Sequence, residues 1–278
     1  MFQHALIAVD LDSDVPLLEC APDLATWGVV RVSLVYFAKV GYAQGPAFGE
    51  EERQRERLQA LAEPLRARGT IVDIHVATAG DVGASIAARA AEVGVDLLVV
   101  GNRSQNVLER LFLGSVARKV LRRSSVPVLI EWIEPLDGVG DRCQLTCGNT
   151  LRHVLVASDL TAAARPVHEA AIELASLGGR VDVMHVTSAD DRARFADWPT
   201  MARAALGEVH SRITQGGGTG EAFVVEGEAS EEILRLAGER DASLLVVGKA
   251  GRGDSGMGHT ARALSKRAGR PVLMIPNR

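Results

Sequence analysis

The chain has 278 residues, 47% hydrophobic, 24% charged and 4% aromatic, a length that holds one large domain or two ordinary ones at roughly 100–200 residues each. Lys and Arg number 31 against 35 Asp and Glu, a formal charge of −4, and no basic block is present to grip a phosphate backbone, which excludes a nucleic-acid reader. No basic n-region opens the chain and no later stretch reaches 18 uncharged apolar residues, so neither a secretion signal nor a membrane span is predicted; with only three cysteines and no disulfide framework, a reducing cytoplasm is expected.

Short apolar runs alternate with longer segments of helical period, which predicts βαβ units around a parallel sheet. Strands are expected near 4–9, 30–37, 71–77, 96–100 and 126–131, and helices near 16–27, 50–68, 82–93 and 114–124. Ala5–Val9 and Leu97–Val100 are apolar at every position, as strands covered on both faces should be. Along the last helix Leu113, Val116, Ala117, Val120 and Leu121 make an apolar stripe opposite Arg118, Lys119, Arg122 and Arg123. Three acids, Glu50, Glu51 and Glu52, open helix 50–68, where a helix dipole favours negative charge. Further strands are expected near 153–157, 181–186, 222–226, 244–247 and 272–275, and helices near 165–177, 190–214, 230–240 and 258–268.

This second series repeats the first. His4–Asp10 returns as His153–Asp159 at an offset of 149, Asp96–Gly101 as Ser243–Gly248 at 147, and Pro127–Ile130 as Pro271–Met274 at 144. A duplicated domain follows, not a short-period solenoid. The expected division is one α/β domain over 1–135, a Gly-rich linker over 136–150 and a second domain over 151–278. Cys143, Cys147 and His153 lack the remaining ligand of a zinc site, so no metal site is assigned and the two thiols are read as linker residues. Each half is then a five-stranded parallel α/β sandwich, in which ligands bind beyond the carboxyl ends of the strands at the switch point.

At that end lies Gly101-Asn102-Arg103-Ser104, followed after nine residues by Gly114-Ser115 at the start of the basic-faced helix. A strand ending in a flexible turn before a helix N-terminus, with unpaired amides beside a hydroxyl, is an anion site in physical terms. Gly101 and Gly114 are expected to supply close backbone approach and positive φ, and Ser115 to act as N-cap or phosphate donor. His4 and His153 sit at equivalent strand starts and read as structural. Tyr36 and His185, also equivalent, read as rings packed on the sheet, and Trp27, Trp132 and Trp198 are scattered singly. No nucleophile elbow or metal-ligand cluster is found in the sequence.

The spacing from Gly101 through Ser104 to Gly114-Ser115 resembles the nucleotide motif of the universal stress protein family, G-x-x-G-x9-G-S/T. The likeness extends over Leu108–Leu121, Ser125–Ile130 and the opening strand with its terminal Asp10, and it runs through nearly the whole chain in tandem. The resemblance implies two Rossmann-like, adenine nucleotide alpha hydrolase-like domains of strand order 3-2-1-4-5. It also implies ATP, with magnesium, between first and fourth strands, a cytoplasmic stress role, and a pseudo-dimer of the halves through their fifth strands, with a homodimer of chains as a further possibility. In the first copy it places Asp10 near the ribose, the Phe37 backbone at the adenine, and Gly101, Gly114 and Ser115 at the phosphates. Ser104 departs from the family glycine, adding a Cβ that costs about 1 kcal/mol in a left-handed position and a hydroxyl that suits a phosphate. In the second copy Asp159, Val186, Gly248, Gly251 and Gly258 match. Six residues replace nine between Gly251 and Gly258, His259 stands for the hydroxyl, and Asp254 opposes Arg252 and Lys249 as a phosphate neighbour. Nucleotide is therefore expected to depend more on the first site. Three roles stay open at this level: an adenine-nucleotide-binding regulatory or protective module, a slow adenine-nucleotide hydrolase, and an interaction scaffold without nucleotide.

Overall fold

A computed structural model describes residues 2–11, 17–18, 21–39, 50–103, 114–135, 143–145, 149–195, 197–250 and 256–277. It divides into two units, Phe2–Thr146 and Cys147–Arg278.

The first unit runs β1 (His4–Ala8), α1 (Ala21–Thr26), β2 (Arg31–Lys39), α2 (Glu50–Arg66), β3 (Ile71–Ala79), α3 (Val82–Val93), β4 (Leu97–Arg103), α4 (Ser115–Arg123), β5 (Val128–Pro135) and β6 (Cys143–Leu145). Its strands lie in the order β3-β2-β1-β4-β5, all parallel, with Ala5 opposite both Val32 and Leu97 and Leu98 opposite Val128. The central pair is the driest part: Leu6, Ile7, Leu97, Leu98 and Val99 are fully buried, each such side chain worth roughly 1.5–3 kcal/mol over exposure. Burial along α2 falls on Gln54, Leu58, Ala62 and Leu65, a single stripe at helical spacing that leaves the acidic first turn in water. Helix α3 is fixed at both ends, by the Asp81 carboxylate accepting from the Ala84 amide and by Gly94 in the left-handed conformation. Gly83 lets α3 approach α4 closely, since a Cβ there would lie 2.6 Å from Lys119 Cβ.

Two expectations change in this unit. Helix 16–27 reduces to α1, preceded by a single 3-10 turn at Leu17 and Leu18 among the described residues. Part of the expected linker is a strand: β6 pairs antiparallel with β5, Ile133 opposite Leu145 and Pro135 opposite Cys143.

The second unit runs β7 (His153–Ala157), α5 (Arg165–Ser176), β8 (Arg180–Thr187), α6 (Ala189–Arg194), α7 (Trp198–Gln215), β9 (Ala222–Glu226), α8 (Ala229–Glu239), β10 (Leu244–Gly248), α9 (His259–Arg267) and β11 (Val272–Ile275). Its order, β11-β10-β7-β8-β9, is the same arrangement, again parallel throughout. The helix expected over 190–214 is two helices. Pro199 has no amide to donate and fits only a first turn, so α7 starts at Trp198, and Phe195 is extended with φ −139°.

The strand-start histidines are structural, as read from the sequence. His4 Nε2 bonds Ser33 Oγ at 2.8 Å. His153 Nε2 meets the fully buried Asp182 at 2.8 Å, and Arg180, Arg240 and the Glu221 amide complete that carboxylate's partners. Burial pushes the Asp182 carboxyl up, but these hydrogen bonds and charges outweigh it and hold it below its ordinary range.

Candidate functional site

In the second unit β7 connects outward to β8 on one side and pairs with β10 on the other. The crevice at their carboxyl ends is the switch point of the sheet. A cavity of about 430 Å³ opens there, bounded by the ends of β7, β8 and β10, the first residues of α8 and the N-terminus of α9. It is lined by Asp159, Val186, Gly248 and Gly258 among others, so four of the second-copy positions singled out in the sequence converge on one space. Gly251 and Arg252 lie outside the described residues, as does Ser104 in the first copy.

The floor of the cavity is built from hydrogen bonds between strand ends. Ser158 extends β7 by one bond, its amide donating to the Met184 carbonyl at 2.9 Å. Its hydroxyl is bonded to His168 Nε2 at 2.7 Å and accepts from the Leu160 amide at 3.0 Å. Burial holds the His168 imidazole below its ordinary range, with Arg212 adding to the effect and Asp159 opposing it. Next along the chain, Asp159 Oδ1 accepts from both the amide and the hydroxyl of Thr161, at 3.0 and 2.8 Å. From β8, His185 lines the wall with both ring nitrogens engaged. Trp198 Nε1 can only donate, so Nε2 accepts from it at 3.2 Å and Nδ1 carries the proton given to the Ser158 carbonyl at 2.9 Å. Trp198 in turn stacks on Phe195 with ring centres 6.0 Å apart.

Residues at the starts of α6, α8 and α9 also line the cavity. Ser188 and Asp191 close a reciprocal capping box on α6, the Ser188 hydroxyl donating to Asp191 Oδ2 at 2.7 Å. Beyond β10 the Gly258 amide donates to the Lys249 carbonyl at 2.9 Å. Gly258 is then the N-cap of α9 and has no side chain to offer. The amides of His259, Thr260 and Ala261, orphaned by helix geometry, form the electropositive edge of the cavity. His259 is 85% exposed and stands 3.9 Å from Glu228 Oε1. Glu228 caps α8 through the Glu231 amide and bonds the Ser230 hydroxyl. Burial raises its carboxyl, but these bonds and His259 bring it below its usual range.

The first unit places its own candidates in matching positions. The Val9 amide donates to the Val35 carbonyl, as Ser158 does to Met184, so Asp10 and Asp159 emerge from equivalent strand ends. Phe37 is register-equivalent to Val186 and packs edge-on against His75 at 5.4 Å. Gly101 is in β4 opposite Glu131. Two details are corrected: neither Gly101 nor Gly114 takes positive φ, Gly114 lying at −52°, and Gly114, not Ser115, is the N-cap. A residue that precedes a helix is extended, and a Cβ at Gly114 would meet nothing within 4 Å, so the backbone there makes no demand for glycine.

Sequence reasoning missed Ser158, Thr161, Ser188, Asp191 and Thr260, which also line the cavity. The Ser188-Ala189-Asp190-Asp191 run was a legible capping box; the others carry no local signal. Among the described residues no group of three or more His, Cys, Asp or Glu side chains is arranged to hold a metal, and no helix is long and apolar enough to cross a membrane.

A duplicated parallel sheet of order 3-2-1-4-5, with a crevice at first and fourth strands facing a helix N-terminus, defines a Rossmann-like ligand-binding fold. The chain belongs to the universal stress protein family, whose pattern matches residues 1–130 and again 150–276. In structure it is similar to a universal stress protein from Archaeoglobus fulgidus DSM 4304, with a TM-score of 0.74 and 22% identity over 98% of each chain. A putative universal stress protein from Pseudomonas aeruginosa UCBPP-PA14 gives 0.72 and 19% identity, covering 99% of this chain and 94% of that one. In sequence, the stress response protein NhaX of Bacillus subtilis is 35% identical over 80 residues, 29% of this chain and 48% of that protein. The match thus spans about half the length of that curated relative.

Proposed function

We propose that the chain binds ATP or a related adenine nucleotide in the cytoplasm and acts as a regulatory or protective module in a stress response. The observation that carries this reading is the cavity where Asp159, Val186, Gly248 and Gly258 meet, the positions at which the family motif resembles a nucleotide site. Binding is favoured over hydrolysis because His185, the imidazole in the cavity wall, has both ring nitrogens committed, which leaves it no nitrogen free to activate a water. Magnesium, on this reading, arrives on the phosphates of the nucleotide. Nucleotide binding depends more on the first site, which keeps the nine-residue spacing and Ser115. Pairing of the halves through their fifth strands, and any dimer of chains, is proposed from the apolar runs 126–131 and 272–275 alone, with sedimentation of the full chain as the check on the dimer.

Mass spectrometry of the denatured, purified protein tests the binding claim through any co-purified nucleotide, alongside calorimetric titration of ATP into the protein and its Ser115→Ala variant. Co-purified adenine nucleotide, with ATP affinity reduced by Ser115→Ala, is the expected result. No nucleotide and no heat with ATP or AMP would remove the proposal.

A further inference from the structure

We propose that Ser158, in the wall of the second-unit cavity, is a nucleophile activated by His168 and takes up the acyl group of an activated ester or thioester with a short aliphatic chain. This chemistry is separate from nucleotide binding and needs no nucleotide in the cavity.

Every polar atom of Ser158 is held. Its amide donates to the Met184 carbonyl at 2.9 Å, its carbonyl accepts from His185 Nδ1 at 2.9 Å, and Oγ accepts from the Leu160 amide at 3.0 Å and is bonded to His168 Nε2 at 2.7 Å. Burial holds the His168 imidazole below its ordinary range, Arg212 adding to the effect and Asp159 opposing it, so the ring is neutral at neutral pH. A hydroxyl has a single proton to give. With the Leu160 amide already donating to Oγ, that proton goes to the Nε2 lone pair. A serine hydroxyl within hydrogen-bond reach of a neutral imidazole is the arrangement of a nucleophile and its general base.

Two further observations separate this pair from an ordinary structural contact. Leu160 has φ 54°, a left-handed conformation that a branched side chain adopts at a cost. Such strain persists where the surrounding structure imposes it, and it gathers at active sites. Here it brings a backbone N–H onto Oγ, the atom that gains negative charge as its proton leaves. In addition, the first copy has Val9 at the position equivalent to Ser158, and the Val9 amide makes the same bond to its neighbouring strand. The strand end therefore does not need a hydroxyl to fold.

The cavity, about 430 Å³, sets Ser158 among Ala157, Ala163, Val167, Val186, Ile233 and Val247. Small aliphatic side chains around one reactive hydroxyl suit an acyl group of a few carbons. In the step, Oγ bonds to the acyl carbonyl carbon and the bond from that carbon to the leaving oxygen or sulfur breaks. The hydroxyl proton passes to His168 Nε2 and from there to the leaving group. Nothing is oxidised or reduced, and the product is an ester on Ser158.

The test treats the full chain with p-nitrophenyl butyrate, follows p-nitrophenolate release by absorbance, and locates the adduct by peptide mass spectrometry. A butyryl group on Ser158 is expected. Ser158→Val, which copies the first unit, should keep its circular dichroism melt and lose that adduct, and His168→Gln should slow acylation of Ser158 by about 10²-fold. In the wild type the acylation rate should be level through neutral pH and fall only below about 6.5, as the lowered His168 takes up a proton; the fall should be missing in His168→Gln. Should that variant not fold, Ser158→Val and the wild-type pH profile decide. Butyryl groups found only on other residues would overturn the inference, as would acylation of Ser158 at a rate that neither acidification nor a folded His168→Gln changes.

Discussion

Glu131 provides a measurable test of the packing around β5. Glu131 is 1% exposed, Oε2 has no hydrogen-bond partner among the described residues, and burial, with a further push from Asp23, raises its carboxyl to about 8. An unpaired carboxylate is too costly to bury, so the group is held as the neutral acid. A raised acid binds its proton more tightly in the folded chain than in the unfolded one. Its contribution to stability is therefore intact below about pH 4.5, the unfolded value, and is lost as pH rises towards about 8. The full gap corresponds to roughly 5 kcal/mol, with about 3 kcal/mol already lost at pH 7. Glu131→Gln removes the titration and keeps the shape. Urea unfolding of both proteins at pH 5, 7 and 9 should show the wild type losing about 3–4 kcal/mol more than the variant across that range. Titration of the labelled Glu131 carboxyl carbon by NMR gives the proton affinity directly. A constant stability difference between the two proteins from pH 5 to 9 would refute the reasoning, since it would mean that Glu131 ionises in the folded chain as it does in water.

Four further outcomes are expected. Asp182→Ala removes the partner of His153 Nε2 and of the Glu221 amide, and one of the two carboxylates that Arg180 and Arg240 share, and should destabilise the second unit by roughly 1–3 kcal/mol, read as a lower urea midpoint. The lowered His168 imidazole means that the unfolded chain gains its proton first as pH drops below about 6.5. Stability is therefore lost on acidification from that point down to the lower folded value, and His168→Gln should be flatter between pH 7 and 5 in the same unfolding assay. Gly83→Ala drives a Cβ to 2.6 Å from Lys119 Cβ and 3.0 Å from the Val116 carbonyl and should cost about 1–3 kcal/mol. Gly114→Ala meets no atom within 4 Å and should change thermal stability by only a few tenths of a kcal/mol to about 1 kcal/mol.

Elements whose signal is local were legible. The strands His153–Ala157, Ala222–Glu226 and Val272–Ile275 and the helix Val82–Val93 end where the sequence reading ends them, because each is an apolar run or stripe closed by a capping or turn residue. What was not legible depends on distance. The break before Trp198 turned on reading Pro199 as a first-turn residue, not an interior one. The state of His185 depends on Trp198 and Ser158, 13 and 27 residues away. Candidate site positions could be listed from the repeat, but whether a lining hydroxyl is free for a ligand is decided by side-chain pairing that no spacing encodes.

The duplication makes this point in a second way, because the two copies do one structural job with different chemistry. In the first unit the Asp96 carboxylate ties the start of β4 to the start of β1, accepting the amides of Gln3 and His4 at 2.9 and 3.1 Å. In the second, Ser243 does the same for β10 and β7, accepting the His153 amide at 2.9 Å and donating to the Thr150 carbonyl. Under the sheet, Ser33 partners His4 where Asp182 partners His153. These exchanges leave strand order and register unchanged, since the apolar strands fix both and the polar ends need only be satisfied. At the carboxyl ends the same freedom acts on the first residues of helices. Ser115 and His259 begin equivalent nine-residue helices, one with a hydroxyl and one with an imidazole set towards Glu228. A substitution that leaves the scaffold unchanged still alters the donors and charges at the carboxyl end of the sheet, which is where the two copies differ in chemistry.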